Sequence, residues 1–397
     1  MQTLFKINYF QLLLLCFMVA FSSCKKDLKS SETNPLKADN STFGKKNHTL
    51  PATAVVLTTG LNHPRGLKFG PDGKLYVAEA GTGPTTECST QSCVVLQPHV
   101  FSPYYGCPSG GRISRIDPSS GSRATVVDNL PTSSGTNGDV FGPADVAFIN
   151  HKLYVLQGGA GCGHGVPSST NGIYRINANG THTMIADLGT WSVAHPGAHN
   201  EEDDYTPEGN WYSMTVADDH FYALEPNHGN FVKVSLNGRI REVVDISASQ
   251  GHIVPTAVDH KEEDFYVGDL GVFPITGISS IFKIKQNGKI KKIATGFSAI
   301  LGIVLDKHSN IYVLEMTAGF PFPTPGAGRI RKLKPDGTVE NVISGLNFPT
   351  AMTMGPDGNL YVSGWGFGPP LGEIVKVTLN NNDSDNENDN NDNDNKH

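Results

Sequence analysis

The sequence predicts an all-β fold, a six-bladed β-propeller whose last blade is closed by an N-terminal strand. Three repeated features support this: an aliphatic-Tyr-aliphatic segment, a Pro-Asp-Gly turn and a segment of the form Gly-x-Ile-x-Arg/Lys-Ile. The tyrosines are Tyr76, Tyr154, Tyr222, Tyr266, Tyr312 and Tyr361, and the last three intervals between them are 44, 46 and 49 residues. A period in the mid-forties built from short strands is typical of β-propellers.

Each repeat is predicted to contain four strands. In the first repeat the inner strand covers residues 66–69, and the turn Pro71-Asp72-Gly73 leads into the tyrosine strand. Proline presets φ and glycine accepts a positive φ, so this sequence favours a tight turn. The Gly-x-Ile segment supplies the third strand, and an outer strand such as residues 124–127 ends the repeat.

The sixth repeat lacks an outer strand, because an Asn/Asp-rich segment follows soon after Val377. A spare strand, residues 54–57, lies ahead of the first repeat. We expect it to pair with the third strand of the sixth repeat near Ile374 and Val375. This pairing would close the ring and remove its open edges. The propeller is predicted to span residues 53–379.

Three insertions interrupt the repeat, at residues 82–110, 158–171 and 189–210. The first two join second to third strands, and the third joins an outer strand to the next inner strand. Both kinds of connection emerge on the same face of a propeller, which we call the top face. Loops enlarged on one face are where repeat proteins usually bind their ligands.

The N-terminus has the features of an export signal at residues 1–23: a positive Lys6, an apolar stretch and small residues before Cys24. The segment Phe21-Ser22-Ser23-Cys24 resembles the lipobox of bacterial lipoproteins. This resemblance implies lipidation of Cys24, attachment to a membrane and an extracytoplasmic location in the cell envelope, at the outer membrane. A plainly secreted protein is the alternative. Residues 24–52 are polar and are expected to form a flexible tether.

The C-terminal residues 380–397 are nearly all Asn and Asp, and we expect them to be disordered. The chain has a formal net charge of −7, and no basic stripe crosses the predicted propeller. A mildly acidic domain of this kind argues against nucleic-acid binding. We expect a monomer.

Several phrases resemble the ScyD/ScyE family of exported propeller proteins. They include Asn62-His63-Pro64-Arg65-Gly66-Leu67, Leu75-Tyr76-Val77-Ala78-Glu79-Ala80-Gly81 and Gly319-Phe320-Pro321-Phe322-Pro323. The resemblance spans about residues 53–378 and implies a six-bladed propeller outside the cytoplasm. It supplies no catalytic residues. The Pro-Asp-Gly and Leu-Tyr-Val pieces are shared with NHL-type and gluconolactonase-like propellers, and blade four lacks the Pro-Asp-Gly turn.

Polar residues follow three positions after five of the tyrosines: Glu79, Gln157, Glu225, Asp269 and Glu315. If they face the upper channel, Glu79, Glu225, Asp269 and Glu315 could bind calcium or another divalent cation through oxygen ligands. Such a metal could polarise a lactone or phosphoester. The alternative is structural: polar strand ends bond to loop amides and hold the blades together.

The ligand-binding candidates are Arg65 and Asp145, which begin inner strands, and Gln157 and Asn227 at the top face. Either Arg65 or Asp145 could orient a polar or anionic ligand, or Arg65 could instead pair with an acidic residue. His195 and His199 have a spacing found in metal pairs, but Pro196 and Gly197 break the helix that would align them. A solvated acidic loop is the preferred interpretation there.

Apart from Cys16 in the signal and the lipidated Cys24, the chain has four cysteines: Cys88, Cys93, Cys107 and Cys162. In an exported protein they indicate two disulfides with three possible connectivities. We expect Cys88 to join Cys93, and Cys107 to join Cys162 on the neighbouring blade.

The preferred function is binding of a small molecule or protein at the top face of the central channel. The alternative is a metal-dependent hydrolase of the lactonase or gluconolactonase-like type. A third class is a structural scaffold that uses the outer blade surfaces. Fold alone does not decide among them.

Overall fold

The computed structural model describes residues 52–84, 88, 103–136, 138–200, 204–272, 277–318 and 323–379. The predicted signal peptide, the tether up to residue 51 and the tail at 380–397 lie outside the described residues. Within them, six antiparallel sheets form the six blades of a propeller, which confirms the predicted fold. No helix in this part of the chain is both long and apolar enough to cross a membrane.

The strands follow the predicted plan, from an inner to an outer position in each blade. Blade one contains β2 (Pro64–Phe69), β3 (Leu75–Glu79), β4 (Tyr105–Ile116), β5 (Arg123–Ser134) and β6 (Val140–Phe141). Blade two contains β7 (Pro143–Ile149), β8 (Lys152–Gln157), β9 (Gly172–Ile176) and β10 (His182–Asp187). Blade three contains β11 (Ser213–Ala217), β12 (His220–Glu225), β13 (Asn230–Val234) and β14 (Ile240–Asp245).

The remaining strands continue the same order. Blade four contains β15 (Pro255–Lys261), β16 (Asp264–Asp269), β17 (Ser279–Lys285) and β18 (Ile290–Phe297). Blade five contains β19 (Ile300–Leu305), β20 (Ile311–Glu315), β21 (Gly328–Leu333) and β22 (Val339–Leu346). Blade six contains β23 (Ala351–Met354), β24 (Leu360–Gly364), β25 (Gly372–Thr378) and β1 (Thr53–Leu61). The helical segments among the described residues are a 3₁₀ turn (Cys162–His164), α1 (Leu188–Ala194) and α2 (Ser247–Gln250).

The ring is closed by the N-terminal strand, as the sequence predicts. β1 runs antiparallel to β25, with Val56 opposite Val375 and Thr53 opposite Thr378. Its outer position completes the fourth strand of blade six. Closure therefore joins the two ends of the propeller through one antiparallel pairing.

The repeated tyrosine and the repeated basic residue of the third strand lie opposite each other in every blade. The pairs are Tyr76 with Arg115, Tyr154 with Arg175, Tyr222 with Lys233, Tyr266 with Lys283, Tyr312 with Lys332 and Tyr361 with Lys376. In the four lysine pairs the Nζ atom lies over the tyrosine ring, at 5.4 to 5.7 Å from its centroid. Cross-strand contacts of this kind stabilise a sheet, and they explain why the two motifs repeat together.

The core is divided among the interfaces between neighbouring blades. One cluster joins Leu61 and Ile374 of blade six to Leu67 and Val77 of blade one. Another joins blades two and three around the fully buried Phe221. Each blade thus buries its two faces against its neighbours, as expected for a repeat fold.

The insertions differ in detail from simple loops. β4 and β5 extend beyond the blade, so that residues 105–107 pair with 132–134, and β6 adds a fifth short strand to blade one. The ring of Tyr104 contacts that of His164 in the blade-two insertion, with centroids 4.9 Å apart. Glu208 in the third insertion accepts a hydrogen bond from the backbone N–H of Gly163 at 3.2 Å. The three insertions therefore meet on one face.

The predicted disulfide pairing is wrong. Cys88 bonds to Cys107, not to Cys93. Cys107 lies in the extension of β4, opposite Thr132, and this extension brings it to Cys88. Cys162 is also disulfide-bonded, and Cys93 lies outside the described residues.

Candidate functional site

The polar residues at the ends of the second strands lie inside their own blades. In blade one Glu79 is fully buried, and Arg112 and Ser114 of the third strand donate hydrogen bonds to its carboxylate. The backbone N–H of Asn62 donates to the same group at 2.7 Å. Asn62 belongs to the connection that enters the blade. The carboxylate therefore fastens that connection to the third strand.

Blade five repeats this arrangement. Arg329 Nε donates to Glu315 Oε2 at 2.6 Å, and the backbone N–H of Ser298 donates to Oε1 at 2.7 Å. A second cation, Arg331 Nη1, lies 3.7 Å from the carboxylate. In blade three Glu225 accepts from the backbone N–H of Asn210 at 2.6 Å. We call these side chains, together with their counterparts in the other blades, the blade clamps: Glu79, Gln157, Glu225, Asp269, Glu315 and Glu373.

Blade six uses a carboxylate from the opposite strand. Its second strand ends in Gly364, and a Cβ atom built there would lie 2.9 Å from Cγ of Glu373. Glu373 belongs to β25 and pairs across the strands with Gly364. Burial raises the pKa of Glu373, and a hydrogen bond with Asn347, in the connection entering this blade, opposes that rise. The clamp position is thus filled although the sequence shows a glycine.

The clamp of blade four is the carboxylate of Asp269. Asp269 is 4% exposed and accepts a hydrogen bond from the backbone N–H of Ser280 at 3.1 Å. Within the described residues it makes no salt bridge, unlike Glu79 and Glu315. Burial raises the pKa of Asp269 to about 7, against the opposing effects of the Ser280 hydrogen bond and the Lys292 charge.

These contacts support the structural interpretation of the polar ring. Each of Glu79, Glu225, Asp269 and Glu315 is bound to its own blade, and none is positioned as part of a shared ligand set. Among the described residues, no group of three or more His, Cys, Asp or Glu side chains is placed to hold a metal ion. The predicted divalent-cation site is therefore not assembled from these residues, and we derive no chemistry through a metal.

Two other ligand candidates also hydrogen-bond to the backbone of the propeller. Gln157 is fully buried and donates its side-chain amide to the carbonyl oxygens of Pro131 and Gly158. Asn227 donates to the carbonyl oxygen of Asp204, which holds the third insertion. Both side chains are buried.

Asp145 ties blade two to blade three. Its Oδ2 accepts from the backbone N–H of Met214 at 2.9 Å, and its Oδ1 accepts from that of Val146 at 2.8 Å. Burial raises its pKa, against the opposing effects of the Lys68 charge and these hydrogen bonds. A Cβ atom on Gly66 would lie 2.0 Å from Asp145 Oδ1, so only glycine fits there. The adjacent channel cavity has a volume of about 20 Å³, room for about one water.

Arg65 is the candidate that lines an open cleft at the top face. Its side chain is 9% exposed, and Nη2 donates to Asp139 Oδ1 at 3.1 Å and to the carbonyl oxygen of Val140 at 2.6 Å. Burial lowers its pKa, but Tyr212 and Asp139 outweigh burial and raise it overall. The guanidinium is therefore a permanent buried cation. The cleft has a volume of about 60 Å³ and is also lined by Phe141, Asn210 and Trp211.

Tyr212 separates this cleft from the channel. It directly precedes the inner strand of blade three, and its hydroxyl donates to the carbonyl oxygen of Thr350 at 3.0 Å. Thr350 precedes the inner strand of blade six, on the opposite side of the ring. The Tyr212 side chain thus crosses the channel axis. The guanidinium carbon of Arg65 lies 5.9 Å from its ring centroid on one side.

An apolar cluster lies beside Tyr212. Its buried members are Ala299, Leu301, Met316 and Phe348, and Tyr212, Leu270, Trp365 and Phe367 pack against them. The top of the channel therefore combines a polar part around Arg65 with an apolar part from blades four to six.

The histidine pair considered from the sequence is not brought together. His195 stacks on Trp191, with centroids 4.2 Å apart, and its Nδ1 hydrogen-bonds to the Trp191 carbonyl. His199 is exposed, and its backbone N–H donates to Ser247 Oγ. The pair forms no metal site.

Sequence reasoning missed Asp139 and Tyr212, two side chains that contact Arg65. Both lie between the repeated motifs, in connections where no periodic pattern applies. The available signal was positional: Tyr212 stands directly before an inner strand, at the top end of the channel.

The whole fold is similar to that of proteins of known structure. A gluconolactonase from Xanthomonas campestris is 11% identical, with a TM-score of 0.53, and covers 88% of this chain and 99% of its own. A Bacteroides thetaiotaomicron protein of unknown function is 13% identical, with a TM-score of 0.52, covering 82% of this chain and 75% of its own. These likenesses show the fold. It is the six-bladed propeller that gluconolactonase also has. No family model matches the chain, and no curated protein matches it.

Proposed function

We propose that this chain is an extracytoplasmic, lipid-anchored propeller of the ScyD/ScyE type that binds a small molecule or protein at the top face of its channel. The observation that carries the binding proposal is the cleft at Arg65. It is concave, it has apolar and aromatic walls, and one buried cation points into it, which are the properties of small-ligand sites.

The clamp carboxylates support the choice of this cleft over the predicted acidic ring. Their acceptor atoms are used by arginines and by backbone N–H groups of the entering connections. At the Arg65 cleft, by contrast, a buried cationic side chain lines an open space. Three insertions also meet around this face, as expected for a recognition surface.

Replacing Arg65 with Met is expected to lower the affinity of ligands that bind in the cleft by about tenfold, because a charge-assisted hydrogen bond is lost. The measurement is ligand-observed NMR with a diverse fragment library against the full chain. Arg175→Met serves as the control, since Arg175 lies opposite Tyr154, away from the cleft. A set of bound fragments that is the same for wild type and Arg65→Met, each with unchanged affinity, would show that the cleft is not the binding site.

A metal-dependent lactone hydrolase is the second candidate, supported by the fold shared with the Xanthomonas gluconolactonase. Hydrolysis of gluconolactone that is abolished by a chelator and restored by calcium would favour this candidate over simple binding. The lipid anchor is tested separately, by labelling with a fatty acid in wild type and in Cys24→Ser.

A further inference from the structure

We infer that the Arg65 cleft binds the carboxylate group of a ligand, and that the Asp139 carboxylate binds Arg65 when no ligand is present. The ligand class is a small organic acid with an apolar body. This inference rests on the proposed binding function and specifies the chemistry of the same site.

The guanidinium of Arg65 is only partly used by the protein. A guanidinium carries N–H donors on Nε, Nη1 and Nη2 in a planar fork that suits two carboxylate oxygens at once. Among the described residues, both hydrogen bonds to Asp139 and Val140 come from Nη2. The guanidinium also hydrogen-bonds to the Tyr212 hydroxyl, whose own proton is directed to Thr350, and these contacts use only part of its five N–H donors. The fork therefore retains donors for a second acceptor.

Asp139 is the more replaceable member of the pair. It meets Arg65 through one oxygen at 3.1 Å, without the paired bonds that arginine and carboxylate form in their strongest geometry. Its side chain is 21% exposed, against 9% for Arg65. The Arg65 guanidinium is the more buried of the two and contacts the Val140 carbonyl and the Tyr212 ring. A ligand carboxylate would thus displace Asp139 and leave Arg65 in place.

The cleft accommodates a head group and directs the rest of the ligand outward. Its volume of about 60 Å³ leaves room for a head group of the size of a carboxylate. Phe141, Pro143, Ala144 and Tyr212 line it, so a ligand body next to the carboxylate would meet apolar walls. A bare inorganic anion would gain nothing from these walls, and a neutral polar ligand would gain little from the charge.

If the Asp139 carboxylate competes with the ligand for Arg65, Asp139→Asn should bind a carboxylate ligand more tightly. The variant is nearly isosteric and removes the internal negative charge, so it is expected to bind phenylacetate about tenfold more tightly than wild type. Arg65→Lys is expected to bind it about tenfold more weakly, because lysine cannot form the planar fork. The measurement is titration calorimetry on the full chain, with phenylacetamide as the neutral probe of the same shape.

Asp264→Asn is the matched control. Asp264 is 20% exposed and bonds to Lys283 at 2.6 Å, far from the top face, so its loss should leave phenylacetate binding unchanged. Equal affinity for phenylacetate and phenylacetamide, or no gain in Asp139→Asn, would overturn the carboxylate inference. No phenylacetate binding to either wild type or Asp139→Asn would also overturn it. Each result leaves Arg65-dependent binding of other fragments intact, so failure of the proposed function is detected separately.

Discussion

Glu315→Ala is expected to destabilise the propeller by about 3 to 5 kcal/mol, the cost of removing one member of a buried ion pair. The Glu315 carboxylate is fully buried and is bonded to Arg329 and to the Ser298 backbone N–H. Removing it leaves a partly buried cation and a buried N–H without their acceptor. The measurement is the free energy of unfolding from urea denaturation.

Two variants in the same blade separate the clamp from a general loss of charge. Glu340 bonds to Lys334 at 2.6 Å, but the two side chains are 48% and 34% exposed. Glu340→Ala should therefore cost about 1 kcal/mol or less. Adding Arg329→Ala to Glu315→Ala should recover part of the loss, since the unpaired cation is removed. A Glu315→Ala protein as stable as Glu340→Ala would refute the clamp.

The fold could be predicted because its elements are local and repeated. The turn at Pro71-Asp72-Gly73, the tyrosine strand and the third strand each have a sequence signature, and their order leaves one strand missing at the C-terminus. β1 was the predicted strand for that place because residues 54–57 lie outside the repeats. No long-range information beyond this count was needed.

The site could not be predicted as well, because it depends on which way strand-end side chains point. Side chains alternate along a strand, and the second strand lies within the blade, so Glu79 faces the third strand and the entering connection and not the channel. The useful signal was the residue opposite: Arg112 pairs with Glu79, and Arg329 with Glu315. A carboxylate with an arginine directly across a strand indicates a structural ion pair.

The raised pKa of Asp269 is expected to make the propeller less stable as the pH rises. Its pKa in the folded protein is about 7, whereas an aspartate in an unfolded chain has a pKa near 3.9. Below about pH 4 both states hold the proton. Between about pH 4 and 7 the unfolded state releases it while the folded state retains it, so stability falls as pH rises. Above about pH 7 both states are ionised and this contribution stays constant.

The size of the loss is on the order of 4 kcal/mol, since each pH unit in that window costs about 1.4 kcal/mol. Asp269→Asn removes the titration. Wild type should therefore lose stability relative to Asp269→Asn from pH 4 to pH 7. Above pH 7 the difference in their free energies of unfolding should stay constant. Urea denaturation at a series of pH values measures it.

Asp357→Asn provides a control of opposite sign. Although burial opposes the shift, hydrogen bonds from Lys376, Asn359 and Tyr361 lower the pKa of Asp357 to about 2. The Asp357 carboxylate thus contributes stability above about pH 4, and that contribution is lost as pH falls toward 2. Because the two windows do not overlap, a stability difference for Asp269→Asn that is flat from pH 4 to 7 would mean that its carboxylate is ionised in the folded blade. In that case a cation or water would have to compensate the charge that Arg112 and Arg329 compensate in blades one and five.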